Sequence, residues 1–363
     1  MKRFFECLLP VTSCNLKCSY CYVIQEGRRK MQLAELPYSP EHIAKALRAE
    51  RVGGVSWISI CGAGETLIQE EVVEIVRLLL LEGHYINITT NGTLTNRFDQ
   101  IIEACGDSIK RLHFSFSLHY LELKRLNLLD TFFDNIKKVK KAGASFVLQI
   151  NLVDEYVPYI EEIKERSLSE VGAFPQVALT RDESTRPMKI LSSLSDEEYY
   201  LQGRRFESEL FEFTYKNFNV KRNEFCYAGD WSGVLNLQTG WLSKCYANTE
   251  GQNIFADINE PIHFEAIGKH CRNYYCINSS HFMSLGIIPS IASPSYADLR
   301  NRRHAGWYND EMEKFLNEKL YENNSRYGLG KQIKIAWKNN KNEKNRLKAV
   351  AKDLLPTSIT QKF

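Results

Sequence analysis

Short apolar runs alternate with amphipathic stretches through the first half of the chain. Runs with strand character lie at 3–9, 55–61, 85–90, 111–118, 146–153 and 176–180. Between them apolar residues recur at helical spacing over 40–51, 69–82, 95–104, 120–142 and 157–171. Ser39 and Thr95 stand where N-caps belong, and Gly83 and Gly143 where helices stop. Repeated βα units of this length predict an α/β fold, with a parallel sheet and helices outside it. Six such units in residues 1–190 form an open sheet or a partial barrel.

From Leu191 the pattern changes. Residues 191–223 read as a connection built on a helix at 195–213, rich in acidic and aromatic residues. Residues 224–290 are short of helix formers and rich in Gly, Asn, aromatics and Cys, and WSGVLNLQTGWLSKC reads as a hairpin with Gln238–Gly240 at its turn. Residues 291–363 hold a helix at 310–321 and a basic tail.

The 363 residues suffice for one large domain or two smaller ones. With 44% apolar and 25% charged residues, disorder is not the default. A formal charge of +3 is too small to argue for nucleic acid. No apolar run reaches bilayer length. The opening MKRFFECLLP is broken by Glu6 and lacks a small-residue cleavage site, so it reads as a first strand and the protein as cytoplasmic. In a reducing compartment clustered cysteines mean metal or catalysis. Seven of the ten fall in two groups, and Cys7, Cys61 and Cys105 read as core filling.

The loop after the first strand carries Cys14-x3-Cys18-x2-Cys21. Three thiolates on a tight loop select zinc or an iron–sulfur cluster over hard cations. A closed zinc site wants a fourth ligand, and none lies nearby in sequence. Three thiolates on a cubane leave one iron open, and a loop after a barrel strand lies on the face where barrel active sites sit.

This motif, with Tyr20 before its last cysteine, resembles the radical SAM superfamily. The resemblance implies a partial (β/α)6, TIM-like barrel whose [4Fe–4S] cluster offers its open iron to the amino and carboxylate groups of S-adenosylmethionine. Electron transfer to the sulfonium then releases a 5′-deoxyadenosyl radical that abstracts hydrogen from substrate; the cofactors carry the chemistry and the protein orients them. CGAGETLI, after the second strand, is similar to the family's Gly-Gly-Glu-Pro motif through Gly64 and Glu65, which implies contact with the methionyl ammonium. Thr66 stands where the family usually has Pro. ITTNGTL matches the family's TNG turn with Thr90, Asn91 and Gly92. Ser115 and Ser117 on the fourth strand would reach the ribose, and Asn151 on the fifth is a weaker match. Singly, each has a plainer reading: Asn91-Gly92 is a common turn pair, Ser117 an interior hydroxyl, Glu65 a solvated acid. The resemblance covers roughly residues 1–185.

Cys226-x13-Gly240-x4-Cys245 and Cys271-x4-Cys276 supply four more thiolates, a full set for one cluster or one zinc. The arrangement resembles the auxiliary-cluster module of SPASM and twitch radical SAM enzymes. Four cysteines instead of seven fit the shorter twitch type, with one auxiliary [4Fe–4S] cluster. The x4 spacing of the last pair is wider than the common x2. A zinc ribbon or unligated core cysteines remain open alternatives. His270 and His281 flank the module, each as a packed surface histidine before a ligand or base.

Residues 326–363 hold ten Lys/Arg against two acids, Glu343 and Asp353, with Ile333, Ile335, Trp337, Leu347, Val350, Leu354 and Leu355 interleaved. Such a segment lies on an anionic membrane surface, docks on a partner protein, or simply closes the domain as a solvated helix. Tyr274 and Tyr275 read as core aromatics. The first strand begins at residue 3, which leaves no room ahead of it for a leader-binding domain. That favours a small polar or sugar-like substrate, or a short peptide. Net dehydrogenation would use the auxiliary cluster as electron acceptor and need a general base; Arg181, Asp182 and Glu183 stand where substrate contacts belong. A flavodoxin or ferredoxin would serve as reductant. The competing expectations are peptide or protein modification of epimerase, cross-linking or maturase type, with Cys61 or Cys105 as hydrogen donor, and a non-catalytic iron–sulfur or zinc scaffold.

Overall fold

The computed structural model describes residues 1–185, 187–269, 271, 273, 276 and 279–339. Strands β1 (Arg3–Leu9), β2 (Ser56–Gly62), β3 (Tyr85–Thr90), β4 (Leu112–Ser117), β5 (Ser145–Leu152) and β6 (Gln176–Leu179) pair in parallel in chain order. Helices Pro40–Ala46, Glu71–Leu81, Thr95–Cys105, Leu129–Lys141 and Ile160–Val171 connect them. Burial of nearly every residue of β1 and β2 shows a sheet covered on both faces, as parallel strands require. This is the partial α/β barrel that the alternation of patterns predicts. No helix among the described residues is long and apolar enough to cross a membrane.

Several long helical patterns are broken in the structure. The segment read as one helix over 120–142 forms Tyr120–Arg125 and Leu129–Lys141, because Asn127 turns the chain at φ 57°. Asparagine tolerates that left-handed conformation better than most residues. The connection read as one helix over 195–213 forms Asp196–Arg204 and Glu209–Asn217, broken at Glu207 (φ 51°) and restarted by Ser208, whose hydroxyl accepts from Phe211 N–H. Ser39 caps its helix as expected, whereas Thr95 is the first helical residue and Leu94 occupies the cap position.

The second half adds to the sheet. A ribbon of β7 (Arg181–Asp182) and β8 (Lys189–Ile190) stands apart. Then β9 (Ser232–Asn236) pairs parallel to β1, and β10 (Trp241–Cys245) and β11 (Asn248–Asn253) extend outward in antiparallel order. The result is one nine-stranded sheet, β11-β10-β9-β1-β2-β3-β4-β5-β6. The hairpin turn falls where expected, with Asn236 Oδ1 accepting from the N–H groups of Gln238 and Thr239.

The inner face of the barrel is not the aliphatic packing usual in closed barrels. At mid-height Ser59 donates to Glu6 Oε1 (2.9 Å), Asn87 donates to Ser59 Oγ (3.1 Å), and Ser115 donates to Asn87 Oδ1 (2.9 Å). His113 Nδ1 meets the same Asn87 oxygen at 2.8 Å. A belt of polar side chains thus crosses four strands inside the fold. Below it, aromatic residues from the C-terminal segment plug the barrel: Phe282 against Phe4, Tyr296 against Trp57 and Tyr308 against His113.

Trp307 fastens this segment to the barrel. Its ring is fully buried against Phe146, its Nε1–H donates to Val171 O (2.9 Å), and its carbonyl accepts from Phe146 N–H. Trp307→Ala is expected to lower stability by about 3–5 kcal/mol, read from the denaturant midpoint. A loss below about 1 kcal/mol would show that this anchor does not hold the plug.

Candidate functional site

Where β1 ends, the cysteine loop is stitched to the loop after β2. Ala63, Gly64 and Glu65 donate their N–H groups to the carbonyls of Leu9, Val11 and Ser13. A β-carbon on Gly64 would collide with the Ser13 carbonyl oxygen, so this approach demands glycine. Thr66, standing in place of proline, accepts from Gly62 N–H through its hydroxyl (2.8 Å) and closes the turn.

Cys18 is buried, and Cys14 and Cys21 are half-buried beside it. Burial pushes the Cys14 and Cys18 thiols up, and each feels the neighbouring sulfurs. They are protonated when bare, so binding a cationic centre would release protons. Tyr20 fixes the loop from below: its hydroxyl meets His119 Nδ1 (2.7 Å) and Tyr156 Oη (3.0 Å). Burial lowers His119 to about 4, so that ring is neutral.

Glu65 is 2% exposed and lies beside this loop. Its carboxylate accepts from Leu67 N–H (2.9 Å), Thr90 Oγ1 (2.7 Å) and Asn91 N–H (2.7 Å). Burial nevertheless raises its pKa. Three donors fix its direction but do not repay its lost hydration, which leaves it suited to a cationic partner. Asn91 donates to Asn15 Oδ1 (2.8 Å) and reaches Cys14 Sγ (3.8 Å). Gly92 turns at φ 74° against the Phe132 ring, where a β-carbon would lie 2.6 Å from it. Gly64, Glu65, Thr90 and Asn91 are therefore one assembly around the first cysteine. Ser115, Ser117 and Asn151 lie further along the inner wall, where Ser115 is engaged with Asn87.

The polar belt brings in residues that sequence reasoning passed over. Glu6, 2% exposed, was notable in sequence only as a charge interrupting an apolar run; its inward parity within RFFECLL was the available signal. His281 is no surface histidine: it packs on Phe4 and Tyr296, and its Nδ1 lies 3.4 Å from Glu6 Oε2. Burial lowers its pKa. Cys7 and Cys105 are buried, as core filling requires. Cys61 differs. It is half-buried and two residues beyond Ser59, on the same inner face and nearer the cysteine loop.

Cys226, Cys245, Cys271 and Cys276 line a single cavity of about 50 Å³, together with Tyr246 and Phe282. Cys226 is held by paired backbone bonds to Gly268, and Cys245 closes β10. Burial raises Cys226 well above the ordinary thiol range and Cys245 to about 11. Among the described residues no three His, Cys, Asp or Glu side chains close on a point fit for a single metal ion. The volume would admit a few waters, more than one bare ion fills. Four thiols around one space are candidate ligands for a cluster or a metal ion. His270, Tyr274, Tyr275 and the tail beyond residue 339 lie outside the described residues.

Tyr246 lies between the two regions. It lines the cysteine cavity beside Phe282, and its phenol is pushed well up by burial, with further contributions from Glu6, Cys61 and Tyr22. Of the charged residues after β6, Arg181 acts on the same phenol and pairs with Glu183 (3.1 Å). Asp182 instead accepts from Ser184 N–H within its own turn (2.9 Å).

Residues 8–166 match the Radical SAM superfamily. A probable GTP 3',8-cyclase of Archaeoglobus fulgidus is 33% identical over 93 residues, 26% of this chain and 29% of that protein. The GTP 3',8-cyclase of Geobacter sulfurreducens is 32% identical over 142 residues, 37% of this chain and 42% of that protein. The chain thus matches under half the length of these relatives. Among solved structures, Streptococcus suis SuiB bound to S-adenosylmethionine aligns with a TM-score of 0.50 at 19% identity, covering 70% of this chain and 63% of that one. That likeness is one of fold.

The raised pKa of Glu65 has a definite sign. Its protonated form favours folding, a contribution present below the ordinary carboxylate range and lost as pH rises through the folded-state value. Thr90→Val removes one donor to the ionised form. The metal-free variant is expected to lose about 1–3 kcal/mol at neutral pH and less in acid, measured by denaturant unfolding. A gap that did not change with pH would contradict this reading of Glu65.

Proposed function

We propose, from the match of residues 8–166 to the Radical SAM superfamily, that the chain is a radical SAM enzyme that removes hydrogen from a small polar or sugar-like substrate with net oxidation. Cys14, Cys18 and Cys21 would hold a [4Fe–4S] cluster with one iron left for S-adenosylmethionine. When bound, that pair supplies one-electron cleavage of the sulfonium to a 5′-deoxyadenosyl radical that takes hydrogen from the substrate. Glu65, oriented by three donors, would bind the methionyl ammonium, and Asn91 would fix the turn beside Cys14. Ser115, Ser117 and Asn151 would line the path of the ribose.

The polar belt carries the substrate reading. An inner wall built on Glu6, Ser59, Asn87 and Ser115, hydrogen-bonded to one another, suits a ligand whose hydroxyl groups can join that network better than an apolar one. In this reading Glu6 accepts the hydroxyl proton lost on oxidation. Ser59 holds one carboxylate oxygen and neutral His281 lies beside the other. The second electron would pass to an auxiliary [4Fe–4S] cluster on Cys226, Cys245, Cys271 and Cys276. Tyr246 lies between that site and the belt. A flavodoxin or ferredoxin would supply the first electron, in the cytoplasm.

A second reading rests on Cys61. A thiol on the inner face could return a hydrogen atom to a peptide radical, making the reaction an epimerisation without net oxidation. Cys105 does not serve this reading, since it ends the outer helix Thr95–Cys105.

Anaerobically reconstituted protein is expected to hold about eight irons per chain, and Cys245→Ala about four. Cys18→Ala should form no 5′-deoxyadenosine; zinc in place of iron, with no cleavage by the intact chain, would support a non-catalytic scaffold. Deuterated monosaccharides and short peptides, assayed for label in 5′-deoxyadenosine, separate the two substrate classes. With a substrate so found, Glu6→Gln should keep label transfer and lower oxidised product about 100-fold or more. Equal loss of both would remove Glu6 from the role of base.

A further inference from the structure

We propose that the helical segment 329–339 is a docking surface for an anionic lipid bilayer. Leu329 and Ile333 are 78% and 68% exposed, and Trp337 is 66% exposed. Spacing of four residues sets these three side chains in one stripe along the helix. Among the described residues few large apolar side chains are as exposed, and here they are consecutive on one face.

The stripe is held outward by the other face of the same helix. Ile335 is 4% exposed and packs against Gly268, and Asn339 Nδ2–H donates to Ile267 O (2.8 Å). Lys338 pairs with Glu265 (2.7 Å), and the Lys331 ammonium sits 3.5 Å over the Tyr327 ring. Rolling the helix to hide Leu329 and Ile333 would break these contacts. The surface is therefore a fixed ridge and not a frayed end.

Charge selects the occupant. Lys334 flanks the stripe, Lys331 and Lys338 stand on the anchoring face, and residues 326–363 carry ten Lys/Arg against two acids. A second copy docked two-fold on the same ridge would set lysines against lysines. The chain's own basic sequence beyond residue 339 would meet the same repulsion. An anionic surface is favoured instead, and Leu, Ile and Trp beside lysines is the composition that settles at a bilayer interface. A convex ridge also suits a deformable plane better than a preformed protein groove. The bilayer then recruits the enzyme by added apolar contact and counter-charge together, so neither alone holds it.

The test uses the full, cluster-loaded chain sedimented with vesicles of phosphatidylcholine alone or with about a third phosphatidylglycerol. Binding is expected only to the phosphatidylglycerol vesicles and should weaken as salt is raised from about 0.1 to about 1 M. The double variant Leu329→Glu/Ile333→Glu should lower the bound fraction at least about tenfold. Its rate of S-adenosylmethionine cleavage and its thermal midpoint should match wild type, since neither side chain touches the cysteine sites. Equal sedimentation with both vesicle types would overturn the proposal. So would a double variant that binds like wild type, since binding would then rest on the basic tail alone. Concentration-dependent dimerisation without vesicle binding, or capture by an acidic protein in place of vesicles, would overturn it too.

Discussion

The close passage of two loops governs the site. The backbone of residues 63–65 donates three N–H groups in succession to the cysteine-bearing loop, and only a glycine at position 64 lets the Ser13 carbonyl come near enough. That contact sets where the thiols stand relative to the Glu65 carboxylate. Everything further out depends on it: the donors from Leu67, Thr90 and Asn91 aim a carboxylate whose position the loop has already fixed. A buried acid held by three donors is costly when ionised without a counter-charge. The site thus carries a negative group and a trio of sulfur donors side by side, each poised for a cationic partner.

The sheet extends the same logic to the second half. By pairing β9 with the open edge of β1, the C-terminal region uses the strand that also carries Glu6 and leads into the cysteine loop. Cys245 and Tyr246 follow from β10, two strands away. One framework therefore supports both cysteine groups. Covering the β1 edge with β9 moves the free edge outward to β11 and brings the second cysteine group beside the first strand. The aromatic plug closes the other opening and delivers His281 to Glu6.

Much of this was legible in the sequence because local rules suffice for it. Alternating patterns gave six parallel strands within a residue or two, and the spacing of Cys14, Cys18 and Cys21 marked the three thiols that the structure gathers on one loop. The hairpin after Trp231 followed from turn chemistry. The helix breaks did not, because left-handed Asn127 and Glu207 look like ordinary helix residues in an amphipathic pattern. The polar belt was hidden for another reason. Glu6, Ser59, Asn87 and Ser115 lie on four different strands, and only strand register shows that they form one hydrogen-bonded line. Single inward polar residues in apolar strands look like noise until their partners are known. Likewise Cys61 reads as core until the pleat shows which face it takes.

The central claim is that three thiolates leave one metal corner open for the amino and carboxylate groups of S-adenosylmethionine. Electron–nuclear double resonance on the reduced, cluster-loaded protein tests it directly, using cofactor labelled with nitrogen-15 at the amino group and oxygen-17 at the carboxylate. The account predicts hyperfine coupling from both labels to the cluster spin, lost when unlabelled cofactor is in excess. A reduced cluster that showed coupling to neither label, with the cofactor demonstrably bound, would contradict it.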